Sequence, residues 1–183
     1  LSAFSNPRAG GIIAMGVEDG DSVIAVQITD GSTQVVIGTR SGVAIRFEED
    51  DVRPMGRTAY GVRGISLRDD DYVVGMEAVK PDGSLLTVTE NGYGKQTQVD
   101  EYRLTSRGGL GVINIDTSER NGKVVAVAHI EPTDEILMVT QQGMMIRIPT
   151  ASVRITGRAA QGVRLINIEE GDRVVAVAKV EPE

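Results

Sequence analysis

The chain has 183 residues, 40% hydrophobic but only 3% aromatic, with neither Cys nor Trp and a formal net charge of −7. Without Cys there are no disulfides and no thiolate chemistry, which is compatible with a reducing cytoplasm. No apolar run approaches the ~20 residues that a membrane-crossing helix needs and no secretory signal is visible, so a membrane partner is not expected.

In chain order, residues 1–20 read as the tail of a preceding unit. Gly11 and Met15 fall where Gly61 and Ile65 fall one period later, while Arg8 is one place out of step with Arg57. Leu1-Ser2-Ala3-Phe4 opens inside this pattern, so the chain reads as a piece of something longer. Three full units follow at 21–70, 71–121 and 122–171, and 172–183 opens a fourth, expected to serve as a closing strand. Their openings are alike: DSVIAVQI, DYVVGMEA, GKVVAVAH and DRVVAVAK. A period near 50 residues makes this a repeat protein.

Within a unit the apolar runs are short, rich in Val and Ile, and broken by Gly or acidic pairs. That is the grammar of strands rather than of helices. In the third unit strands are expected at 124–129, 136–140, 144–148 and 163–168. Gln141-Gln142-Gly143 is a Gly-bearing hairpin turn, and Arg40-Ser41-Gly42 and Glu90-Asn91-Gly92 are its equivalents. Four strands per unit of about 50 residues indicate an all-β array of propeller-like blades. Three and a half units are expected to form an open arc. The alternative is that 1–20 pairs with 172–183 to complete a fourth blade.

The segment 52–67, VRPMGRTAYGVRGISL, recurs as YRLTSRGGLGVINI at 102–115 and VRITGRAAQGVRLINI at 153–168. Arg53, Arg103 and Arg154 share one phase, as do Arg57, Arg107 and Arg158, and Gly61, Gly111 and Gly162. The net charge resolves by the same phase. Segments 40–68, 92–115 and 143–168 hold 13 Lys/Arg against 6 Asp/Glu, and the remainder holds 6 against 20. Radial repetition would align the basic segments into one curved band, the electrostatic footprint of a phosphate backbone. The plainer alternative is that arginines on outer strands merely prevent edge pairing.

The strings VRPMGRTAYGVRGI, NGYGKQT at 91–97 and TSERNGKVV at 117–125 resemble the C-terminal domain of the A subunit of bacterial DNA gyrase, along essentially the whole chain. The resemblance implies a β-pinwheel of four-stranded blades in which neighbours exchange a strand, with double-stranded DNA bent around a basic rim and little base reading. It also implies a non-catalytic module. In the parent enzyme Mg2+ and ATP act through other parts, and the DNA-cleaving tyrosine lies in a separate domain. The A subunit joins the gyrase B subunit in an A2B2 heterotetramer in the cytoplasm, with the nucleoid. Among the expected DNA contacts are Arg46, Arg53, Arg57, Arg63, Lys95, Arg103 and Arg107. Gly108, Gly109, Arg147, Arg154, Arg158 and Arg164 complete the set. The family's Gln-Arg/Lys-Arg-Gly-Gly-Lys/Arg-Gly box has no intact copy. Its nearest match, Thr105-Ser106-Arg107-Gly108-Gly109-Leu110-Gly111, is expected to hold DNA locally without starting a wrap.

Other chemistries find little support. His129 is the only histidine, which excludes His-pair metal sites. The runs Asp69-Asp70-Asp71 and Glu48-Glu49-Asp50-Asp51 lack the alternating ligands of a calcium loop. Gly92-Tyr93-Gly94-Lys95 lacks the spacing of a phosphate-binding loop. No catalytic residue, metal or cofactor is assigned to this chain. Two alternatives to a gyrase module stand: the similar domain of topoisomerase IV, and a protein-interaction propeller of WD40 or kelch type. The absence of Trp weakens the latter.

Overall fold

The computed structural model describes residues 2–180. It is all-β, with three short 3-10 turns at Glu49–Asp51, Val99–Glu101 and Thr150–Ser152, and a fourth at Ser2–Phe4. Strands β1 (Gln34–Thr39) and β2 (Val43–Glu48) form a hairpin, then come β3 (Val73–Val79), β4 (Ser84–Thr89), β5 (Tyr93–Gln98) and β6 (Val112–Ile113). The rest are β7 (Val124–Ile130), β8 (Glu135–Thr140), β9 (Met145–Pro149), β10 (Val163–Arg164) and β11 (Val174–Val180).

The sheets are β3-β1-β2-β6, β10-β5-β4-β7 and β11-β8-β9, antiparallel throughout. In the first two sheets a hairpin occupies the middle, the long strand that follows it covers one edge, and a two-residue strand from one repeat further on covers the other; in the third only the long strand is added to the hairpin. β6 and β10 are therefore exchanged between neighbouring blades. β7 packs between β3 and β11, so the long strands line the inner side of an arc.

The fourth strand of each blade is shorter than its apolar pattern predicts. Beyond Arg164 the amides of Leu165 and Ile166 both turn to the carbonyl of Gly92 at the hairpin tip, at 2.8 and 3.3 Å. Asn114 and Ile115 do the same to Gly42. This approach fixes the residue type at the tip. A Cβ on Gly92, whose φ is +80°, would lie 2.7 Å from the Ile166 carbonyl oxygen.

Strand formation here depends on a neighbour. The 22–29 segment repeats the pattern of β3, β7 and β11 but forms no strand, and Val26 and Ile28 remain 82% and 81% exposed. Residues 2–20 form no hairpin beside it. Segment 62–63 likewise stays irregular where its equivalents are β6 and β10. At the other end, β9 has no outer strand among the described residues, and Met145 is 63% exposed. Among the described residues the arc is open: β11 pairs with β8 and residues 2–20 form no strand, against the alternative of a fourth blade built from the two ends. Residues 181–183 of the expected closing strand lie outside the described residues.

Both faces of each middle sheet feed a core. Val36 and Ala44 from the first sheet meet Leu85, Val99, Tyr102, Ile115, Val124 and Val127. Leu86 and Val88, alternate positions of β4, face the other way onto Ile136, Met138, Val153, Ile166 and Val174. Such interfaces make stability a sum over neighbouring repeats.

The tips give a direct check. Gly92→Ala is expected to cost about 1–3 kcal/mol, because it combines left-handed strain with a backbone clash. Gly143→Ala meets a similar positive φ, +89°, with nothing within 4 Å, and should cost less. Equal losses in urea denaturation would refute the close-approach argument.

Candidate nucleic-acid interface

The outer edge of each blade is built by one segment. It leaves a 3-10 turn, makes a parallel bridge to the middle of the hairpin (Leu104 to Arg46, Ile155 to Gln96), bulges outward, and returns as β6 or β10. The bulges are 105–111 and 156–162, and 55–61 is the unpaired equivalent. Each carries one arginine of the recurring series. Arg107 donates to the carbonyls of Asp51 (2.9 Å) and Arg63 (3.0 Å), Arg158 to that of Ile113 (2.8 Å), and Arg57 to that of Ile13 (2.7 Å). All three reach back onto the previous repeat, and all three are partly buried. Their regular spacing thus has a structural cause: each hooks its bulge to the blade before.

The Thr105–Gly111 bulge is held by further ties. Gly108 donates its amide to Gly64, and Ser66 bonds the carbonyls of Gly108 and Gly109 through its hydroxyl and amide, at 2.7 and 2.8 Å. The glycines of this degenerate box therefore face the preceding repeat with part of their backbone.

Two expected contacts are corrected. Arg46 is buried, 7% exposed, because the 3-10 turn of the next repeat folds over it. Its Nε donates to Gln34 (2.8 Å), and one terminal nitrogen donates to the carbonyls of Val99 (2.9 Å) and Tyr102 (3.0 Å). Burial pulls its pKa below the ordinary arginine value, opposed by Glu48 and Asp100. Gln96 makes the equivalent bond to the Thr150 carbonyl. Arg147, at the same position of the third sheet, has no such turn above it and pairs with Glu135 in solvent. Lys95 is fully buried under the 156–162 bulge. Neither Arg46 nor Lys95 can touch a phosphate in this arrangement.

The exposed arginines of the expected set are Arg53, Arg103, Arg154, Arg63, Arg164 and the ion-paired Arg147. The first three follow the three 3-10 turns at one phase. Sequence reading passed over Arg120 and Tyr93. The Tyr93 ring lies 4.4 Å from the Arg120 guanidinium carbon and 5.2 Å from that of Arg164, and Arg164 also donates to the Tyr93 hydroxyl at 2.6 Å. Two cations, Arg120 from a turn and Arg164 from β10, converge over one aromatic ring, and neither makes an ion pair with a carboxylate among the described residues. The signal was faint, since Arg120 stands alone in an acidic stretch. A second groove brings Arg68 and Arg158 together beside Leu110, Gly111 and Ile113. Among the described residues no group of three potential ligands could hold a metal ion, and no helix is long and apolar enough to cross a membrane.

The family of the DNA gyrase C-terminal domain, beta-propeller, matches residues 1–30, 33–80, 83–131 and 134–181. The chain belongs to that family. Each complete family repeat contains a hairpin and the long strand paired with it, so within 33–80 and 83–131 a blade lacks only its short outer strand, taken from the next repeat. The DNA gyrase A subunit of Salmonella typhimurium is 46% identical over 180 residues, 98% of this chain and 20% of that protein. The Chlamydia trachomatis A subunit is 46% identical over 98% of this chain and 22% of that protein. The chain thus spans about a fifth of the curated relatives it matches. Among solved structures, the DNA gyrase A C-terminal domain aligns with TM-score 0.84 and 30% identity over 93% of this chain and 58% of that one. The C-terminal domain of DNA topoisomerase IV aligns with TM-score 0.92 and 25% identity over 98% and 56%.

The burial difference within one phase yields a prediction. Arg46→Ala strands Gln34 and two carbonyls away from water and should cost about 2–3 kcal/mol. Arg147→Ala removes an exposed ion pair and should cost under about 1 kcal/mol. Chemical denaturation of the two variants distinguishes these costs.

Proposed function

We propose that this chain is a non-catalytic DNA-bending module of the A subunit of a bacterial DNA gyrase, holding duplex DNA by its backbone along the outer edges of the blades. One observation supports it most: Arg53, Arg103 and Arg154 stand exposed at the same phase of three successive outer segments. Arg63, Arg164 and Arg120 lie further along the same segments, with Tyr93 gathering the last two. Bending duplex around a small body costs up to about 10 kcal/mol. Many separate phosphate contacts offset that cost, each adding a modest, salt-dependent increment. Arginine suits such contacts through its permanent charge and planar fork. Arg57, Arg107 and Arg158 use part of their donors on the preceding repeat, and the Nε of Arg158 is buried without a partner, so their share in the contact is smaller than that of the exposed series. The altered box at 105–111 fits local gripping better than initiation of a wrap.

In the parent enzyme this module would help ATP-driven, Mg2+-dependent strand passage yield negative supercoils, within an A2B2 assembly with the gyrase B subunit, in the cytoplasm. A second reading, the equivalent module of topoisomerase IV, draws on the TM-score of 0.92 to that domain. The higher identity to gyrase A subunits favours the first. Supercoiling of a relaxed plasmid by the whole enzyme separates them, since the second reading requires relaxation or unlinking without new negative supercoils.

DNA affinity should fall steeply with salt. Replacing Arg53, Arg103 and Arg154 together by Ala should reduce the log–log salt slope by about 3, or 0.9 per phosphate contact, with little change in stability. Salt-independent binding, or a triple variant with the native slope, would rule the reading out.

A further inference from the structure

At three positions the blades differ in kind. The first sheet places Ile37, Ile45 and Phe47 on one face, and the third has Met138, Ile146 and Ile148 at the equivalent places. The second has Thr87, Lys95 and Thr97, all fully buried. Burying an ammonium is costly unless it is hydrogen-bonded, and two sister blades fold with Ile at its position. Packing therefore gives no reason for the lysine.

Its contacts do. The Lys95 Nζ donates to the Gly157 carbonyl (2.8 Å), the Arg158 carbonyl (2.6 Å) and Thr97 Oγ1 (2.9 Å). Gly157 and Arg158 form the crown of the 156–162 bulge, where Ala160 also donates its amide to Gly157. From this crown the Arg158 side chain crosses to Ile113 of the preceding blade, and the bulge ends at Gly162 beside Arg164. In the first sheet the equivalent bulge takes its donors from Ser66 instead, and Ile45, at the position of Lys95, has no side-chain donor to offer it.

We propose that Lys95 is a positioning residue: it holds the arginine-bearing bulge 156–162 from below in the shape that presents Arg154, Arg158 and Arg164 to a phosphate backbone. This rests on the DNA-binding reading above. Lys95 touches no DNA itself; it acts through two backbone carbonyls. The charged groups around it are Arg158 on the bulge and Glu101 on the 3-10 turn, with the buried phenol of Tyr102 beside them. Burial first, then Arg158, lowers the Lys95 pKa to about 8, while Glu101 opposes the shift. The ammonium donates charge-assisted bonds that the neutral amine loses, so the hold weakens as pH rises through 8. Phosphates drawn to the bulge favour the protonated form, and by linkage DNA binding takes up a proton above pH 8.

The test uses the whole chain, wild type and Lys95→Met, with a linear duplex of mixed sequence. The fold should survive, as Ile45 and Ile146 indicate, with the thermal midpoint held or raised. Amides of 156–162 should exchange severalfold faster in the variant. DNA affinity at pH 7 should drop severalfold, and the wild-type loss of affinity between pH 7 and 9 should vanish. Unchanged loop exchange in the variant, or equal pH profiles for the two proteins, overturns the proposal. If Lys95→Met fails to fold, wild-type loop exchange at pH 7 and 9 still decides, because no acceleration overturns it. Faster exchange with no salt-dependent DNA binding by either protein would preserve the role of Lys95 in the loop and defeat the DNA reading instead.

Discussion

No hairpin in this protein completes its own sheet. β1 and β2 need β3 on one side and β6, from a repeat further on, on the other, and the same holds for β4 and β5 with β7 and β10. The rest of the structure depends on this borrowing. It places a bulge beside each outer strand, brings the 3-10 turn of one repeat over the hairpin of another, and leaves both ends of the arc with unmet pairing. Where no hairpin lies beside it among the described residues, an equally β-prone sequence is unpaired, as Val23, Ile24, Val26 and Ile28 demonstrate. Propensity alone does not make these strands; an edge to pair with does.

The exchanged strands are only two residues long, so backbone pairing contributes little of their hold. Side chains contribute the remainder. Arg46 and Gln96 bind the turns laid over them, Ser66 and Lys95 bind the bulges, and Arg107 and Arg158 reach to the blade before. The same segments carry the exposed arginines proposed to meet DNA. Architecture and ligand thus compete for one residue type in one place, and burial decides which arginine does which task.

Much of this was legible in the sequence. Short Val/Ile runs and Gly-bearing tips located the hairpins within a residue or so, and the period near 50 residues announced blades. The fourth strand was over-read at 163–168, because apolar alternation continues past Arg164 while the backbone has already turned to Gly92. The arginine series shows a deeper limit. A shared phase repeats the arginines but does not assign their task, because the surroundings of Arg57, Arg107 and Arg158 include a carbonyl of the preceding repeat to hook. Arg46 and Lys95 could not be assigned from local pattern, since the residues covering them lie more than 50 positions later. Tyr93 with Arg120 was missed because the contact joins the start of β5 to a turn that the chain keeps apart from it.

The borrowed edge also sets a schedule. A ribosome delivers this chain from its first residue onward, and β1 and β2 emerge well before Val112 and Ile113 exist. A nascent blade must wait, its flank bare, until the following repeat has been translated. Codon usage that slows elongation just after a hairpin would lengthen that vulnerable interval, so chaperone demand during synthesis should peak once per repeat rather than once per domain.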